Sequence, residues 1–170
     1  MIFVEIVDYQ AEKEVIHSIR YDVFVQEQQV PADIEIDRWD PLSIHVLARQ
    51  AGQAVGTGRL LPDGHIGRVA VRRPWRHQGI GRLLMEQLLQ TAREEGHPQV
   101  VLSAQCHAIN FYQKLGFQEE GKVYLEAGIK HIKMVKPLRV PAKLTYVAQP
   151  PETCSAQWRN RILAATYNGA

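Results

Sequence analysis

Arg76-His77-Gln78-Gly79-Ile80-Gly81 lies between an apolar run at 66–71 and an amphipathic stretch at 80–95, and the rest of the chain organises around it. Gly79 and Gly81 carry no Cβ, so the backbone there can approach a ligand closely. A helix beginning at this point also offers unpaired N–H groups and the positive end of its dipole to an anion. The flanking charge agrees: residues 65–85 contain no acid, whereas Arg68, Arg72, Arg73, Arg76 and Arg82 are basic. The stretch reads as a cradle for a diphosphate.

Two common phosphate loops do not fit. A dinucleotide fingerprint needs a third glycine where this chain has Leu84. It also needs the loop directly after the strand, where Arg72-Arg73-Pro74-Trp75 intervene. A nucleoside-triphosphate loop needs Gly-Lys-Ser/Thr, which is absent. By itself a Gly-x-Gly pair is an ordinary strand-to-helix turn. The order of signals gives it weight: strand, arginine-rich turn, Arg-x-x-Gly-x-Gly, helix, a strand at 100–104, then Asn110-Phe111-Tyr112 and Leu115-Gly116-Phe117.

With both motifs in view, the chain resembles the GNAT (Gcn5-related N-acetyltransferase) family over residues 2–136. Arg76, Gly79 and Gly81 match the family signature for the acetyl-CoA pyrophosphate, and Asn110-Phe111-Tyr112 with Leu115-Gly116-Phe117 matches its second signature. Val23-Phe24-Val25-Gln26-Glu27-Gln28, Glu35-Ile36-Asp37, Gly56-Thr57-Gly58-Arg59-Leu60 and Gly128-Ile129-Lys130-His131-Ile132 are similar to its ElaA-type branch. The resemblance implies an α/β fold: a GNAT-like mixed, mostly antiparallel central sheet with helices on both faces. It implies an acetyltransferase domain at 1–136 and a C-terminal extension at 137–170. The activity implied is acetyl transfer from acetyl-CoA to a primary amine, on a small molecule or a peptide, by direct attack in a ternary complex. A non-catalytic module that binds or senses acyl-CoA would carry nearly the same site.

Size and composition set bounds. A chain of 170 residues suits one domain with a sizeable core. Its 45% hydrophobic and 22% charged residues are ordinary for a soluble globular protein. A net charge of +2 is too small for a general nucleic-acid binder, so no nucleic-acid partner is expected. No apolar run approaches the ~20 residues of a membrane span. The N-terminus carries Glu5 and Asp8 where a signal peptide needs positive charge, so the expectation is no membrane partner and a cytoplasmic location. Cys106 and Cys154 do not make a disulfide framework, and the scattered histidines have no metal-ligand spacing, so no metal is expected. Cys106 next to His107 would need a local bend to act as a nucleophilic pair, because neighbours on a strand point to opposite faces.

Periodicity predicts a strand at 2–7, a helix at 11–26 and an acidic loop between Pro31 and Pro41. Three antiparallel strands follow, turning at Ala51-Gly52-Gln53 and Pro62-Asp63-Gly64. Ile80, Leu84, Leu88 and Ala92 form one stripe of the next helix, which Gly96 and Pro98 end. A short helix at 108–115 and strands at 118–124 and 130–135 complete the domain. In the extension, 140–147 reads as a strand and 155–167 as a helix, packing back on the domain or forming a homodimer contact.

The resemblance also assigns roles. Backbone groups of Val69, Ala70 and Val71 would hold the pantetheine arm, with an N–H near Val71 facing the oxyanion. The pyrophosphate would sit on Arg76 and on amides of His77, Gln78, Gly79, Ile80, Gly81 and Arg82. Asn110 would contact the pantetheine arm or brace the short helix. Tyr112 is the expected general acid, since a phenol keeps its proton at neutral pH and a departing thiolate can accept it. Its alternative is simple packing. Glu27, Asp33, Glu35, Asp37 and Asp40 give the early loop a strong negative bias, countered only by Arg38. That loop is expected to attract a cationic amine, with Glu27 or Asp37 as base, against the alternative of a solvated acidic loop. His131 is a further candidate base or a structural hydrogen-bonder.

Overall fold

The computed structural model describes residues 1–139. The strand expected at 140–147 and the helix expected at 155–167 lie outside the described residues. Strands β1 (Ile2–Val7), β2 (Ile44–Gln50), β3 (Gln53–Leu60) and β4 (Ile66–Val71) form one antiparallel sheet in that order. Strands β5 (Gln99–Gln105), β6 (Gln118–Glu126) and β7 (Ile129–Pro137) form a second, with β7 in the middle. Both two-residue hairpins use the left-handed backbone that matches strand twist: Ala51 and Gly52 between β2 and β3, and Ala127 and Gly128 between β6 and β7.

The two sheets meet at a single parallel bridge, His65 to Val101, reinforced by the Val101 N–H donating to the Gly64 carbonyl at 3.2 Å. Beyond it β4 and β5 run in the same direction without a ladder between them. The expected central sheet is therefore mixed, as predicted, and it is split along its middle.

Helix α1 (Tyr9–Arg20) covers one face and α3 (Ile80–Glu94) the other. Alternation along β2 shows why both faces need a helix: Leu47 packs with Ile16, Ile19 and Ala70, whereas Val46 and Ala48 pack with Leu84, Leu88 and Met134. On α3 the expected stripe of Ile80, Leu84, Leu88 and Ala92 is buried, widened by Met85 and Leu89. Each buried leucine of this kind contributes about 1.5–3 kcal/mol. α3 can sit this close because β3 has a glycine beneath it: a Cβ at Gly56 would lie 3.0 Å from both the Ala70 carbonyl oxygen and Leu84 Cδ1.

The first helix differs from its prediction. Asp8 caps it through the Ala11 N–H at 2.9 Å, so it starts at Tyr9 rather than 11. At Tyr21 it changes to a π-helical stretch, Tyr21–Glu27. The wider turn keeps Val23 in the core while Phe24 and Glu27 line the opening between the sheets. A four-residue α2 (Ala32–Glu35) and a 3₁₀ turn at Asp40–Leu42 carry the acidic loop, and α4 (Ile109–Lys114) follows β5.

Candidate active site

The split opens a cavity of about 840 Å³. β4 lines one wall from Gly67 to Val71, β5 lines the other at Leu102, Ser103 and Gln105, and Tyr112 lies between them. The end of the π-helical stretch and the acidic loop close one side, and the β6–β7 turn closes another. Ladder geometry fixes what β4 presents. The Arg72 N–H donates to the Val55 carbonyl at 2.9 Å, so Arg72 and, two residues back, Ala70 face β3. The N–H and C=O of Val71 and Val69 point the other way, into the opening.

A bulge sharpens this arrangement. Thr57 pairs with Ala70 and Arg59 with Gly67, so Arg68 and Val69 together oppose Gly58. Arg68 takes the left-handed conformation, φ 53, a strained backbone for a side chain of this size. It is held there by three hydrogen bonds, to the carbonyls of Glu35 (3.0 Å) and Ile34 (3.2 Å) and to Asp37 Oδ2 (3.2 Å).

At the far end of β4 the chain passes through a 3₁₀ turn, Arg73–Trp75, into the glycine loop. His77 (φ 63) and Gly79 (φ 79) are both left-handed, a curl that gathers successive N–H groups into an anion-binding concavity. No side chain caps α3 and no acid occupies its first turn, so its N–H groups and dipole are uncompensated. Nothing lies within 4 Å of the position a Gly79 Cβ would take. The φ there calls for glycine, and the open space leaves room for a ligand against the backbone. Ile80 turns its side chain into the core and contributes only backbone to the loop. Arg82 is exposed and pairs with Glu86 at 2.7 Å; Asn110 is exposed on the first turn of α4.

Arg76 does not extend into solvent. Its Nε donates to the Val71 carbonyl at 2.9 Å, and its two terminal nitrogens donate to the two oxygens of Glu27, both at 2.6 Å. The hydrogen bond from Arg76 holds the Glu27 carboxyl below its ordinary pKa. The next residue, Gln28, accepts a 2.7 Å hydrogen bond from Gln105 Nε2 on β5. Adjacent residues of one turn thus reach both arms of the split.

The acidic loop corrects a local reading of the sequence. It is not opposed by Arg38 alone. Arg20, fully buried, bonds Glu35 and reaches Asp40 at 2.6 Å; Arg59 bonds Asp37 (2.7 and 2.8 Å) and Asp40 (2.7 Å); Arg68 adds its contacts to Asp37. Three arginines from α1, β3 and β4 therefore neutralise Glu35, Asp37 and Asp40, and Asp33 stays exposed. These partners are 15 to 33 residues away in the chain, which is why local charge counting misses them. For Asp37, burial acts to raise the pKa, but the hydrogen bond and charge of Arg59 outweigh it and the result is a lowered value.

Tyr112 packs edge-on between Phe111 (centroids 5.0 Å apart) and Phe117 (6.0 Å). Burial alone pushes its pKa up to about 12, so it holds its proton across the whole working range. His131 Nδ1 lies 2.9 Å from the Ile129 carbonyl. A carbonyl can only accept, so Nδ1 carries the hydrogen, and neutral His131 keeps a bare Nε2 lone pair. Its ring stacks near Tyr124, whose hydroxyl donates to Ser103 Oγ at 2.5 Å. Cys106 and His107 fall in one 3₁₀ turn, Cys106–Ala108, and only His107 lines the cavity. Among the described residues no cluster of three His, Cys, Asp or Glu could hold a metal ion, and no helix is long and apolar enough to cross a membrane.

The fold agrees with comparisons to known proteins. Residues 8–138 match the family model described as an acetyltransferase (GNAT) domain. An uncharacterised N-acetyltransferase of Bacillus subtilis, YjcF, is 37% identical over 122 residues, covering 69% of this chain and 87% of its own. The crystal structure of an acyl-CoA N-acyltransferase from Pseudomonas aeruginosa matches with a TM-score of 0.73 at 34% identity, covering 80% of this chain and 99% of its own. Escherichia coli ElaA matches with a TM-score of 0.73 at 31% identity over the same shares. The chain belongs to the GNAT acetyltransferase family and is an acyltransferase.

Proposed function

We propose that this acyltransferase moves an acetyl group from acetyl-CoA to a primary amine, on a small molecule or a peptide, by direct attack in a ternary complex. The observation that carries the reading is the groove itself: an unpaired β4 edge running from the bulge at Arg68 to an uncapped, acid-free helix start at Gly79. A pantetheine amide arm pairs naturally with the backbone groups of Val69 and the Val71 N–H, whereas Ala70, whose own N–H and C=O face β3, only spaces them; a diphosphate pairs with the amides from His77 to Arg82. Asn110, exposed on the first turn of α4, is assigned to the pantetheine arm by the family motif, with bracing of that helix as its other role. The Val71 N–H then faces the thioester oxygen, and one preorganised donor of this kind is worth about 2.7–4 kcal/mol.

Attack by the neutral amine gives a tetrahedral intermediate whose collapse expels the CoA thiolate. Tyr112 donates to that sulfur; the desolvation that raises its own pKa also raises that of the thiol, so donor and acceptor shift together. The amine must first lose a proton. Asp37 is fixed by two arginines and the Trp39 N–H, whereas Glu27 has one arginine and a partly exposed carboxylate. Glu27 is accordingly the better base, with Asp37 bracing the loop and His131 the next candidate.

Steady-state CoA release over a panel of amines tests the reading, with pH profiles of Glu27→Gln, Asp37→Asn and His131→Gln. The base is the residue whose loss removes the fall of kcat/KM on the acid side of the profile. Failure of every amine to release CoA above the rate of hydrolysis would overturn the acetyltransfer proposal.

A further inference from the structure

The bidentate Arg76–Glu27 pair occupies the groove at the point where two needs meet. Arg76 opens the glycine loop, three residues before the helix start that is left without acid or cap. Its guanidinium is presented with two parallel N–H···O bonds of 2.6 Å to a carboxylate, the same fork that recognises a phosphate. Both side chains line the cavity, and both are partly open to solvent, at 29% and 37% of their side-chain area. A pair that exposed is cheap to break. Arg73 adds a second positive charge beside Glu27. Glu27 ends the π-helical stretch, so its side chain can swing without unpacking Val23, the buried anchor of that turn.

We propose that Glu27 is an internal stand-in for the cofactor diphosphate: it holds Arg76 and yields it when the cofactor binds. This rests on the acyl-CoA reading above. Exchange has two consequences. Arg76 arrives already oriented by its bond to the Val71 carbonyl, so little side-chain order remains to be imposed. Glu27 loses the guanidinium that lowers its pKa and becomes a stronger base, now beside an anionic cofactor that raises its pKa further. The carboxylate is thereby released for the amine only when the acyl donor is in place, which favours acyl-CoA binding before the amine.

Calorimetric titration with CoA, and separately with pantetheine, which lacks the diphosphate, tests the exchange. Glu27→Gln removes the competitor's charge and is expected to bind CoA about 2- to 5-fold more tightly than the parent, the range of an exposed ion pair. Pantetheine affinity should be unchanged. In the Arg76→Gln background, which binds CoA more weakly, adding Glu27→Gln should give no further gain, because the competition has lost its object. Unchanged or weaker CoA binding by Glu27→Gln, or an equal gain for pantetheine, would overturn the exchange. Absence of CoA binding by the parent protein would instead overturn the acyl-CoA reading on which it rests.

Discussion

Tyr112 shows how one residue acquires a chemical role from its surroundings. Its motif position implied a proton donor, and its packing between two phenylalanine edges supplies the means: no charge or hydrogen bond contributes to its shift, only burial. Tyr112→Phe keeps the ring packing and removes the proton. Because a thiolate is already a fair leaving group, we expect kcat to fall by about 10²-fold, the low end for a general acid. KM for acetyl-CoA should change little, and the alkaline fall of kcat should move or vanish. Unaltered kcat would reduce Tyr112 to a packing residue. Glu27 and Arg76, by contrast, were legible as separate candidates and not as a pair, since residues 49 apart meet only through the fold.

Between elements, the decisive contacts are charges. Arg20 on α1, Asp40 before β2, and Arg59 on β3 form a buried cluster, roofed by His45, whose Nε2–H donates to the Asp40 carbonyl at 2.8 Å. Burial lowers the His45 pKa to about 4. For Asp40 burial acts upward, but the hydrogen bond and charge of Arg20 and the charge of Arg59 win and bring it to about 2. Both groups bind protons more readily in the unfolded chain, so both contribute stability that is lost on acidification. His45 contributes fully above its unfolded pKa of 6.5 and loses that as pH falls towards 4. Asp40 contributes above 3.8 and loses that as pH falls through 2. The His45 shift is worth on the order of 3 kcal/mol and the Asp40 shift on the order of 2 kcal/mol. The urea midpoint should therefore decline in two steps, and His45→Gln should flatten the step between pH 6.5 and 4 while leaving the lower one. A profile unchanged by that substitution would remove His45 from the account of acid stability.

The same scale separates what the sequence carries from what it does not. Strand alternation, the Ala51-Gly52 turn and the 3.6-residue stripe from Ile80 to Ala92 are local patterns, and they appear where they are expected. The π-helical change at Tyr21 is not a local pattern, because the apolar spacing of Ile16, Ile19 and Val23 reads as an ordinary helix running on. The bulge at Arg68 likewise depends on the loop carbonyls that tether it.

For the molecule as a whole, function follows from incomplete pairing. One continuous sheet would satisfy every β4 edge group and leave no opening; the bridge at His65–Val101 joins the halves and lets them diverge. α3 spans both, with Leu84 and Leu88 in one core with Leu102 and Met134, so the opening sits on a rigid frame. Of the two motifs legible in the sequence, Arg76 and Tyr112 line this groove. The charge of the acidic loop was misjudged from sequence, because the three neutralising arginines come from distant elements.

Thermal unfolding with and without acetyl-CoA tests the claim that this groove is an acyl-CoA site. At a hundredfold excess over the dissociation constant, binding adds roughly 2.7 kcal/mol, a rise in Tm of about 5–10 °C for a domain of this size. We expect that rise in the parent protein and its loss in Gly79→Val, whose side chain would be strained at φ 79 and would project into the open cradle. No rise with acetyl-CoA or CoA, or a full rise in Gly79→Val, would contradict the placement of the cofactor at the glycine loop.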